Sequence, residues 1–411
     1  MTGVVIVGAG QAGLQLASSL RELGYDGRVR LIGDEPFAPY QRPPLSKAYL
    51  AGAVPEAMLF MQEPAFFAQH EIEFRAGEPV VSVNRELRRV DLRSGDSLEY
   101  EHLVFATGTR NRPLPCGEGA LSGVLSLRTL EDARALSGAI AAAERIVVVG
   151  AGFLGLEAAT VAVAAGHHVR VIEAGARALG RVVSGPVSRA VQRAHEENGI
   201  RFDFNESVVA IHGRGGAASA VELQTGERIP ADLVLVSIGV VPNTELAASA
   251  GLEVHNGIVV DRWLRTEDPA ISAIGDCAIF PFAADGGRAV RLESVQNAVD
   301  QARCVASRIV GKPCEYDQVP LFWSDQAGLR LQMSGLTRGD EIAVVRGDPD
   351  SKAFSVFCYR DDRLVAVESL SRLPDHMLAR KLLRARVTPA PAQAADLSFD
   401  LKMLVAAPIA A

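Results

Sequence analysis

The chain lacks the cysteine patterns that mark metal sites and redox-active dithiols. Its cysteines are odd in number and scattered, and no C-x-x-C spacing occurs among Cys116, Cys277, Cys304, Cys314 and Cys358. The eight histidines show no metal-ligand spacing either, and His167-His168 at a helix-to-strand turn carries no evident chemistry. We therefore expect no bound metal, and free thiols in a reducing cytoplasm.

Features of secreted and nucleic-acid-binding proteins are also missing. The N-terminus runs directly into a strand pattern, with no charged and apolar leader before it. The net charge of −7 argues against general nucleic-acid binding. The apolar run 146–166 has the length of a membrane span, but its four glycines and Glu157 favour a buried strand and helix. We expect a cytoplasmic protein of two or three domains.

Two glycine fingerprints dominate what is present. Gly8-Ala9-Gly10-Gln11-Ala12-Gly13 and Gly150-Ala151-Gly152-Phe153-Leu154-Gly155 each follow a β-branched apolar run and open a helical pattern. In such a unit the first glycine permits a tight turn, the second lets backbone amides approach a pyrophosphate, and the third lets helix and strand pack closely. A second phosphate-binding contribution comes from the helix N-terminus. Two units predict two bound dinucleotides, and therefore electron transfer between them.

An acidic residue follows each fingerprint at the spacing expected for a ribose ligand. After the first, either Asp34 or Glu35 ends the second strand about 20 residues past the last glycine. After the second, Glu173 ends the equivalent strand and would repel a 2′-phosphate, which favours NADH over NADPH. Arg177 lies near enough in sequence to weaken that preference.

The strand patterns place one nucleotide unit inside the other. Strands ending in glycine turns close both units, at 100–108 and 231–239, and the first unit resumes afterwards. Beyond about residue 320 the chain becomes β-rich, with one late helix near 375–383. We predict an α/β fold with two nested Rossmann-like dinucleotide-binding domains and a C-terminal α+β domain. The predicted boundaries are 1–112 with 246–320 for the first domain, 113–245 for the second, and 321–411 for the third.

Further motifs carry a family resemblance over nearly the whole chain. The two fingerprints with 106–108, 238–239 and 266–276 resemble the FAD-dependent pyridine nucleotide reductases of the glutathione reductase structural class. Three segments, 41–47, 293–298 and 322–326, are similar to those of bacterial ferredoxin reductases, a branch that includes putidaredoxin reductase, rubredoxin reductase and the reductases of aromatic dioxygenases.

With the fingerprints, the resemblance implies FAD in the first domain and NADH in the second. It assigns FAD contacts to Gly8, Gly10, Ala12, Gly13, Asp34, Glu35, Arg42, Lys47, Val80 near the adenine, Thr107, Arg128, Asp276 at the ribityl chain and Val295 near the isoalloxazine. It assigns NADH contacts to Gly150, Gly152, Leu154, Gly155, Glu173 and Gly239.

Lys47, Glu157 and Trp323 are the catalytic candidates. Lys47 follows a Pro-Pro turn and is predicted to open a helix. The resemblance places it near flavin N5, where its charge would stabilise the reduced ring, and a solvated helix lysine is the alternative. Glu157 is an acid inside an apolar helix, which is costly to bury unpaired, and the resemblance pairs it with Lys47. Trp323 is either ordinary core or lies near the exposed flavin edge. Asp276 either binds the ribityl chain, caps a helix, or does both.

Two features bear on the partner. Arg291 and Arg303 would contribute to a basic rim for an acidic ferredoxin, or are simply solvated. Ala327-Gly328 stands where family members often have larger polar or aromatic residues, so the docking surface is expected to differ.

The resemblance also excludes other exits for electrons. Disulfide reductases of this class use a Cys-x4-Cys pair in the region of 42–47, thioredoxin reductases a C-x-x-C pair, and NADH peroxidases a single cysteine near position 42; all are absent here. We therefore expect hydride transfer from NADH to FAD, then single electrons to a 2Fe–2S ferredoxin that supplies a haem monooxygenase.

Two alternatives stay open at this point. One is a rubredoxin reductase or an aromatic dioxygenase reductase component, with the same chemistry and a different partner. The other is a signalling flavoprotein resembling apoptosis-inducing factor.

Overall fold

The computed structural model describes residues 2–116, 121–313 and 315–406. The chain divides into two compact units. The first comprises 1–41, 55–110 and 240–318, and the second comprises 42–54, 111–239 and 319–411. The chain therefore leaves the first unit and returns to it, as the nested fingerprints predict. The finer predicted boundaries, at 112, 246 and 321, stay a prediction.

The strands follow one another along both units. In chain order they are β1 (Gly3–Val7), β2 (Arg28–Ile32), β3 (Ile72–Arg75), β4 (Val80–Asn84), β5 (Arg89–Leu92), β6 (Ser97–Glu99), β7 (His102–Phe105), β8 (Thr109–Asn111), β9 (Val124–Ser126), β10 (Arg145–Val149), β11 (His168–Glu173), β12 (Arg201–Phe204), β13 (Val208–Arg214), β14 (Ala217–Leu223), β15 (Arg228–Pro230), β16 (Leu233–Val236), β17 (Val240–Pro242), β18 (Val254–His255), β19 (Gly257–Val259), β20 (Ile271–Ala273), β21 (Ala278–Phe282), β22 (Arg288–Val290), β23 (Leu321–Gln326), β24 (Leu329–Gly335), β25 (Ile342–Arg346), β26 (Phe354–Arg360) and β27 (Arg363–Leu370).

The helices alternate with the parallel strands in the first three quarters of the chain. They are α1 (Gln11–Glu22), α2 (Pro64–Gln69), α3 (Leu130–Ala142), α4 (Phe153–Ala164), α5 (Gly185–Glu197), α6 (Glu245–Ser249), α7 (Val295–Ile309), α8 (Leu373–Arg384), α9 (Pro391–Ala395) and α10 (Met403–Ala406). Short 3₁₀ turns lie at Pro43–Ser46, Glu56–Leu59, Gly275–Cys277 and Ala283–Asp285.

A five-stranded parallel sheet forms the centre of the first unit. Its order is β20-β7-β1-β2-β3, with β1 between β7 and β2. All five residues of β1 are buried, because a parallel strand covered on both faces needs a continuous apolar run. The unit also contains an antiparallel sheet, β4-β5-β6, and a mixed sheet, β18-β19-β21-β22, in which β19 and β21 are parallel.

The second unit repeats this parallel sheet. Its order is β12-β11-β10-β16-β9, and every neighbouring pair is parallel. Strand β10 occupies the place that β1 holds in the first unit, and each is followed by its fingerprint helix. In both units the strand order therefore reverses beside the fingerprint, where α/β sheets bind their ligands. Buried side chains of β10 and β16 pack against the β13-β14-β15 sheet through Val147, Val234, Val221 and Ile229.

The C-terminal part of the second unit is an antiparallel sheet with helices on it. Its order is β23-β24-β27-β26-β25. Phe357 and Val367 of the sheet pack with Leu378 and Leu382 of α8. Helix α8 spans the region where the sequence predicts a late helix. The α/β fold with two Rossmann-like sheets and a C-terminal α+β part is thus confirmed.

Candidate functional site

The first glycine fingerprint adopts the geometry that its sequence predicts. Gly8 has φ +112°, and a Cβ added there would lie 2.2 Å from the carbonyl oxygen of Ala106. A Cβ on Gly13 would lie 2.0 Å from the carbonyl oxygen of Gly8. At Gly10 an added Cβ would meet nothing within 4 Å. Gly8 and Gly13 are therefore required by the fold, whereas Gly10 faces open space of the kind a pyrophosphate needs.

The helix that follows is open to an anion. Gly10 is the N-cap of α1 and supplies no side chain to cap it, and the first turn holds no acidic residue. The first amides of the helix therefore keep their N–H groups and the positive end of the helix dipole for a ligand. These residues fit the phosphates of a dinucleotide.

The two acids after β2 have different surroundings. Glu35 accepts a hydrogen bond from the Tyr40 hydroxyl at 2.5 Å. Asp34 is exposed, and no partner for it occurs in the described part of the chain. The geometry therefore favours Asp34 over Glu35 as the carboxylate available to a ribose.

The remaining predicted FAD residues of the first unit are Val80, Thr107, Asp276 and Val295. Asp276 belongs to the 3₁₀ turn Gly275–Cys277, and its carboxylate lies 3.5 Å from the hydroxyl of Thr109. A Cβ on Gly275 would lie 3.2 Å from the Cβ of Ala12, so this turn adjoins the first fingerprint. Asp276 does not cap a helix. The N-cap of the 3₁₀ turn that contains Asp276 is Ile274, and the N-cap of α7 is Ser294. That alternative is wrong.

Three other residues of this unit have defined places. Val295 is the first residue of α7, Val80 is buried at the start of β4, and the Thr107 hydroxyl donates to the Asn243 carbonyl at 2.7 Å. Sequence reasoning missed Gln301, which is fully buried and whose side-chain oxygen accepts the Gly275 N–H at 2.7 Å. A glutamine on a helix face carries no sequence signal for that contact.

The second fingerprint repeats the first. Gly150 has φ +103°, and a Cβ there would lie 2.3 Å from the carbonyl oxygen of Ser237. A Cβ on Gly155 would lie 2.6 Å from the carbonyl oxygen of Gly150, whereas one on Gly152 would meet nothing within 4 Å. Helix α4, which contains Leu154, likewise starts at an uncapped glycine with no acid in its first turn. This site also fits a pyrophosphate.

Glu173 is held against the second fingerprint. Its Oε2 accepts the Ala151 N–H and its Oε1 accepts the Gly175 N–H, both at 2.7 Å. Arg177 does not lie free beside it: the guanidinium donates to the carbonyls of Val183 and Gly180, each at 2.8 Å. Because Arg177 is engaged within its own loop, the geometry supports NADH over NADPH more firmly than the sequence does.

Arg181 is a second residue that sequence reasoning missed. It is exposed, and across the described ranges it forms no hydrogen bond or ion pair. Its Nη2 lies 3.9 Å from the place a Cβ would take on Gly239, the residue predicted to contact NADH. The loop that carries it is tied to the fingerprint, because the Leu179 N–H donates to the Ala151 carbonyl at 2.9 Å.

Lys47 and Glu157 form the predicted pair. Lys47 Nζ lies 3.1 Å from Glu157 Oε1 and 3.6 Å from Asp325 Oδ2. Glu157 is buried in α4, with 8% of its surface exposed. The prediction that Lys47 opens a helix is wrong: it ends the 3₁₀ turn Pro43–Ser46, because the two prolines close a single tight turn.

The other predicted residues of the second unit have mixed outcomes. Arg42 donates to the carbonyl of Arg128 at 2.6 Å, so these two are brought together. Trp323 is 39% exposed and is therefore not a core residue. Ala327 and Gly328, with φ +49° and +81°, form the two-residue turn between β23 and β24. The departure from the family pattern is thus a tight hairpin turn.

The two arginines predicted for a basic rim have different surroundings. In the first unit the side chain of Arg291 is 9% exposed, lies 2.7 Å from Glu293 and donates to the Asp276 carbonyl at 3.1 Å. It supports the Asp276 turn and is not available to a partner. Arg303 is exposed.

The described cysteines carry no redox pair. Cys116, Cys277, Cys304 and Cys358 are free thiols, and burial raises the pKa of Cys277 and of Cys358. Cys314 lies outside the described residues. Among the residues that the structure covers, no group of three or more metal-ligating side chains occurs, and no helix is both long and apolar enough to cross a bilayer.

Comparison with known proteins agrees with this geometry. Residues 2–302 match the family described as pyridine nucleotide-disulphide oxidoreductase, and residues 321–405 match the family described as reductase C-terminal. The chain is 48% identical to rhodocoxin reductase of Rhodococcus erythropolis over 403 residues, covering 98% of this chain and 94% of that protein.

Among the similar solved structures are two that cover nearly the whole chain. One is the ferredoxin reductase for the CYP199A2 system from Rhodopseudomonas palustris, with TM-score 0.95 and 46% identity, covering 98% of this chain and 99% of that one. The other is the covalent putidaredoxin reductase–putidaredoxin complex, with TM-score 0.96 and 40% identity, covering 100% of this chain and 99% of that one.

Proposed function

Because this chain belongs to the pyridine nucleotide-disulphide oxidoreductase family and carries its reductase C-terminal domain, we propose that it is an NADH-dependent ferredoxin reductase. It is an FAD-dependent oxidoreductase that uses NAD(H), as the sequence predicts. The proposal adds the acceptor, which is an acidic 2Fe–2S ferredoxin in a transient complex, and a cytoplasmic location.

One observation carries the proposal. Where disulfide reductases of the resembled class hold a cysteine pair, this chain has Lys47, whose ammonium contacts the buried carboxylate of Glu157 at 3.1 Å. A thiol cannot take electrons at this place, so electrons must leave to another molecule. Relatives that include a ferredoxin reductase and a putidaredoxin reductase in complex with putidaredoxin support an iron–sulfur protein as that molecule.

The residues of the chain bind and orient the two cofactors and stabilise charge on the reduced ring. Bound FAD supplies the hydride-accepting and one-electron chemistry. Gly10 and Gly152 leave room for the two pyrophosphates, and Glu173 places a carboxylate where an adenosine ribose is expected. Lys47 supplies a positive charge that is itself held by Glu157, and such a charge stabilises an electron-rich ring. Trp323, half-exposed, is available at the surface from which electrons leave.

The final consumer of the electrons is part of the proposal. A haem monooxygenase is favoured because the similar ferredoxin reductase is named for a CYP199A2 system. A rubredoxin or an aromatic dioxygenase ferredoxin is the alternative acceptor, with the same chemistry in this chain.

Anaerobic titration with NADH tests the proposal. The visible flavin absorbance should bleach with NADH and recover when a 2Fe–2S ferredoxin from the same cell is added. NADPH at the same concentration should bleach it far more slowly. Recovery with rubredoxin alone would transfer the assignment to a rubredoxin reductase. A bleached flavin that no iron–sulfur protein reoxidises would support the signalling alternative instead.

A further inference from the structure

Three side chains to which neither the sequence analysis nor the proposed function gives a role form a buried series of hydrogen bonds that ends at Glu157. They are Ser324 and Gln326 of β23 and His195 of α5, and each is fully buried. Burying polar groups is costly unless every one is hydrogen-bonded. These groups lie in the second unit, and each of them forms hydrogen bonds there.

The contacts fix the direction of these hydrogen bonds. His195 Nε2 lies 2.9 Å from Gln326 Oε1, and Gln326 Nε2 donates to Ser324 Oγ at 2.7 Å. Gln326 Nε2 also donates to the Phe153 carbonyl at 3.2 Å, which identifies the nitrogen end of its amide. Ser324 Oγ in turn donates to Glu157 Oε1. Each donor therefore points toward the Glu157 carboxylate.

His195 is suited to donate the first hydrogen bond of this series. Burial lowers its pKa, so the imidazole is neutral at neutral pH. A neutral imidazole has one N–H, and because Gln326 Oε1 can only accept, that proton lies on Nε2. Donors aligned head to tail polarise one another and strengthen the last hydrogen bond, here the one to Glu157.

The series also ties β23 to the helix of the second fingerprint. The ring of Phe322 packs on that of Phe153 with centroids 4.5 Å apart, beside the Gln326 contact with the Phe153 carbonyl. Glu157 lies one turn further along this helix. Its Oε1 pairs with the Lys47 ammonium and accepts a hydrogen bond from the Ser324 hydroxyl. Its Oε2 accepts a hydrogen bond from the Ser46 hydroxyl at 2.5 Å.

We propose that His195, Gln326 and Ser324 are positioning residues that orient the Glu157 carboxylate, and through it the Lys47 ammonium, toward the reduced flavin. The inference rests on the proposed function, since the family resemblance places Lys47 beside flavin N5. It gives the C-terminal sheet a part in flavin chemistry through groups that never touch the flavin.

Flavin midpoint potentials of the FAD-loaded full-length protein test this inference. Ser324→Ala and Gln326→Met should each keep bound FAD but shift its two-electron potential to a more negative value. The expected scale is a tenfold weaker stabilisation of reduced flavin, which for a two-electron couple is about 30 mV. Bleaching by NADH in stopped flow should slow by a similar factor.

Two matched variants separate positioning from general support. Ser334→Ala removes another fully buried hydroxyl of the same sheet, one that contacts His376 at 3.1 Å, and should leave the potential unchanged. Ser324→Thr keeps the hydroxyl and should retain the wild-type potential.

The outcomes are distinguishable. Wild-type potentials in both Ser324→Ala and Gln326→Met, or an equal shift in Ser334→Ala, would overturn the inference. If Ser324→Ala loses FAD, the Gln326→Met measurement decides alone. Because a dye-coupled potential needs no NADH, a wild-type protein that NADH does not bleach would contradict the proposed function and leave this test intact.

Discussion

Glu173 Oε2 accepts the N–H of Ala151 at 2.7 Å, which fastens the acid at the end of β11 to the glycine turn after β10. The protein's own backbone therefore holds the carboxylate at the fingerprint. An acid fixed there can accept a ribose hydroxyl and repel a 2′-phosphate without moving.

Replacing this acid should erase the preference between nucleotides. Glu173→Ala is expected to weaken NADH binding about tenfold and to reduce the NADH-over-NADPH ratio of kcat/KM, because the ribose loses a charged acceptor. Steady-state kinetics with both nucleotides measure this. Glu131→Ala, an exposed acid on α3, is the matched control. Unchanged selectivity in Glu173→Ala would remove it from nucleotide recognition.

Arg181 should contribute to NADH binding through its charge. Because its Nη2 lies beside Gly239 and no partner for it occurs in the described ranges, Arg181→Ala should raise the NAD⁺ dissociation constant several-fold. The loss should shrink at high salt, where exposed charges are screened. Calorimetric titration measures both effects. Arg214→Ala, an exposed arginine at the β13–β14 hairpin, should bind as wild type, and an equal loss there would point to net charge.

The glycines of the second fingerprint should separate folding from binding. Gly150→Ala is expected to destabilise the protein by more than about 1 kcal/mol, since its φ is +103° and its Cβ would strike the Ser237 carbonyl. Gly152 has φ −81° and open space around it, so Gly152→Ala should unfold at the wild-type temperature. It should nevertheless bind NADH at least about tenfold more weakly. Wild-type NADH affinity in Gly152→Ala would place the pyrophosphate elsewhere.

Breaking the Lys47–Glu157 pair should affect both stability and rate. Lys47→Ala is expected to retain FAD, slow flavin reduction, and cost about 3–5 kcal/mol because Glu157 is left buried without its cation. The double variant Lys47→Met/Glu157→Gln removes both charges and should recover most of the stability but not the rate. Stopped-flow bleaching and thermal unfolding measure these separately. A wild-type bleaching rate in Lys47→Ala would exclude Lys47 from the mechanism.

Glu368 should make stability depend on pH. It is buried on β27, and burial raises its pKa from 4.5 to about 7 although the Ser184 hydroxyl and N–H donate to it. An acid whose pKa is raised by folding stabilises the fold most below its unfolded pKa. That contribution is lost as pH rises from about 4.5 to about 7, and it amounts to about 3 kcal/mol.

Thermal unfolding between pH 4.5 and pH 8 measures this dependence. Glu368→Gln, which keeps an acceptor for Ser184 but cannot ionise, should flatten the profile and be the more stable protein at pH 8. Parallel profiles for the two proteins would show that Glu368 does not titrate in this range.

Some features of this protein follow from local physical rules that can be applied to the sequence alone. The glycine turns, the parallel strands and the acids at 34 and 173 follow from local steric and hydrogen-bonding rules, so their positions were predictable from the chain alone. That Glu157 has a partner was predictable because an acid in an apolar helix is costly to bury unpaired, whereas the choice of Lys47 came from the family resemblance.

Only the tertiary structure decided how side chains far apart in sequence meet. It bonded Glu35 to Tyr40, engaged Arg177 within its loop, held Arg291 against the Asp276 carbonyl, and ended a 3₁₀ turn at Lys47. It also joined His195, Gln326 and Ser324 to Glu157. Such contacts depend on the packing of strands and helices from separate parts of the chain, and no local pattern encodes them.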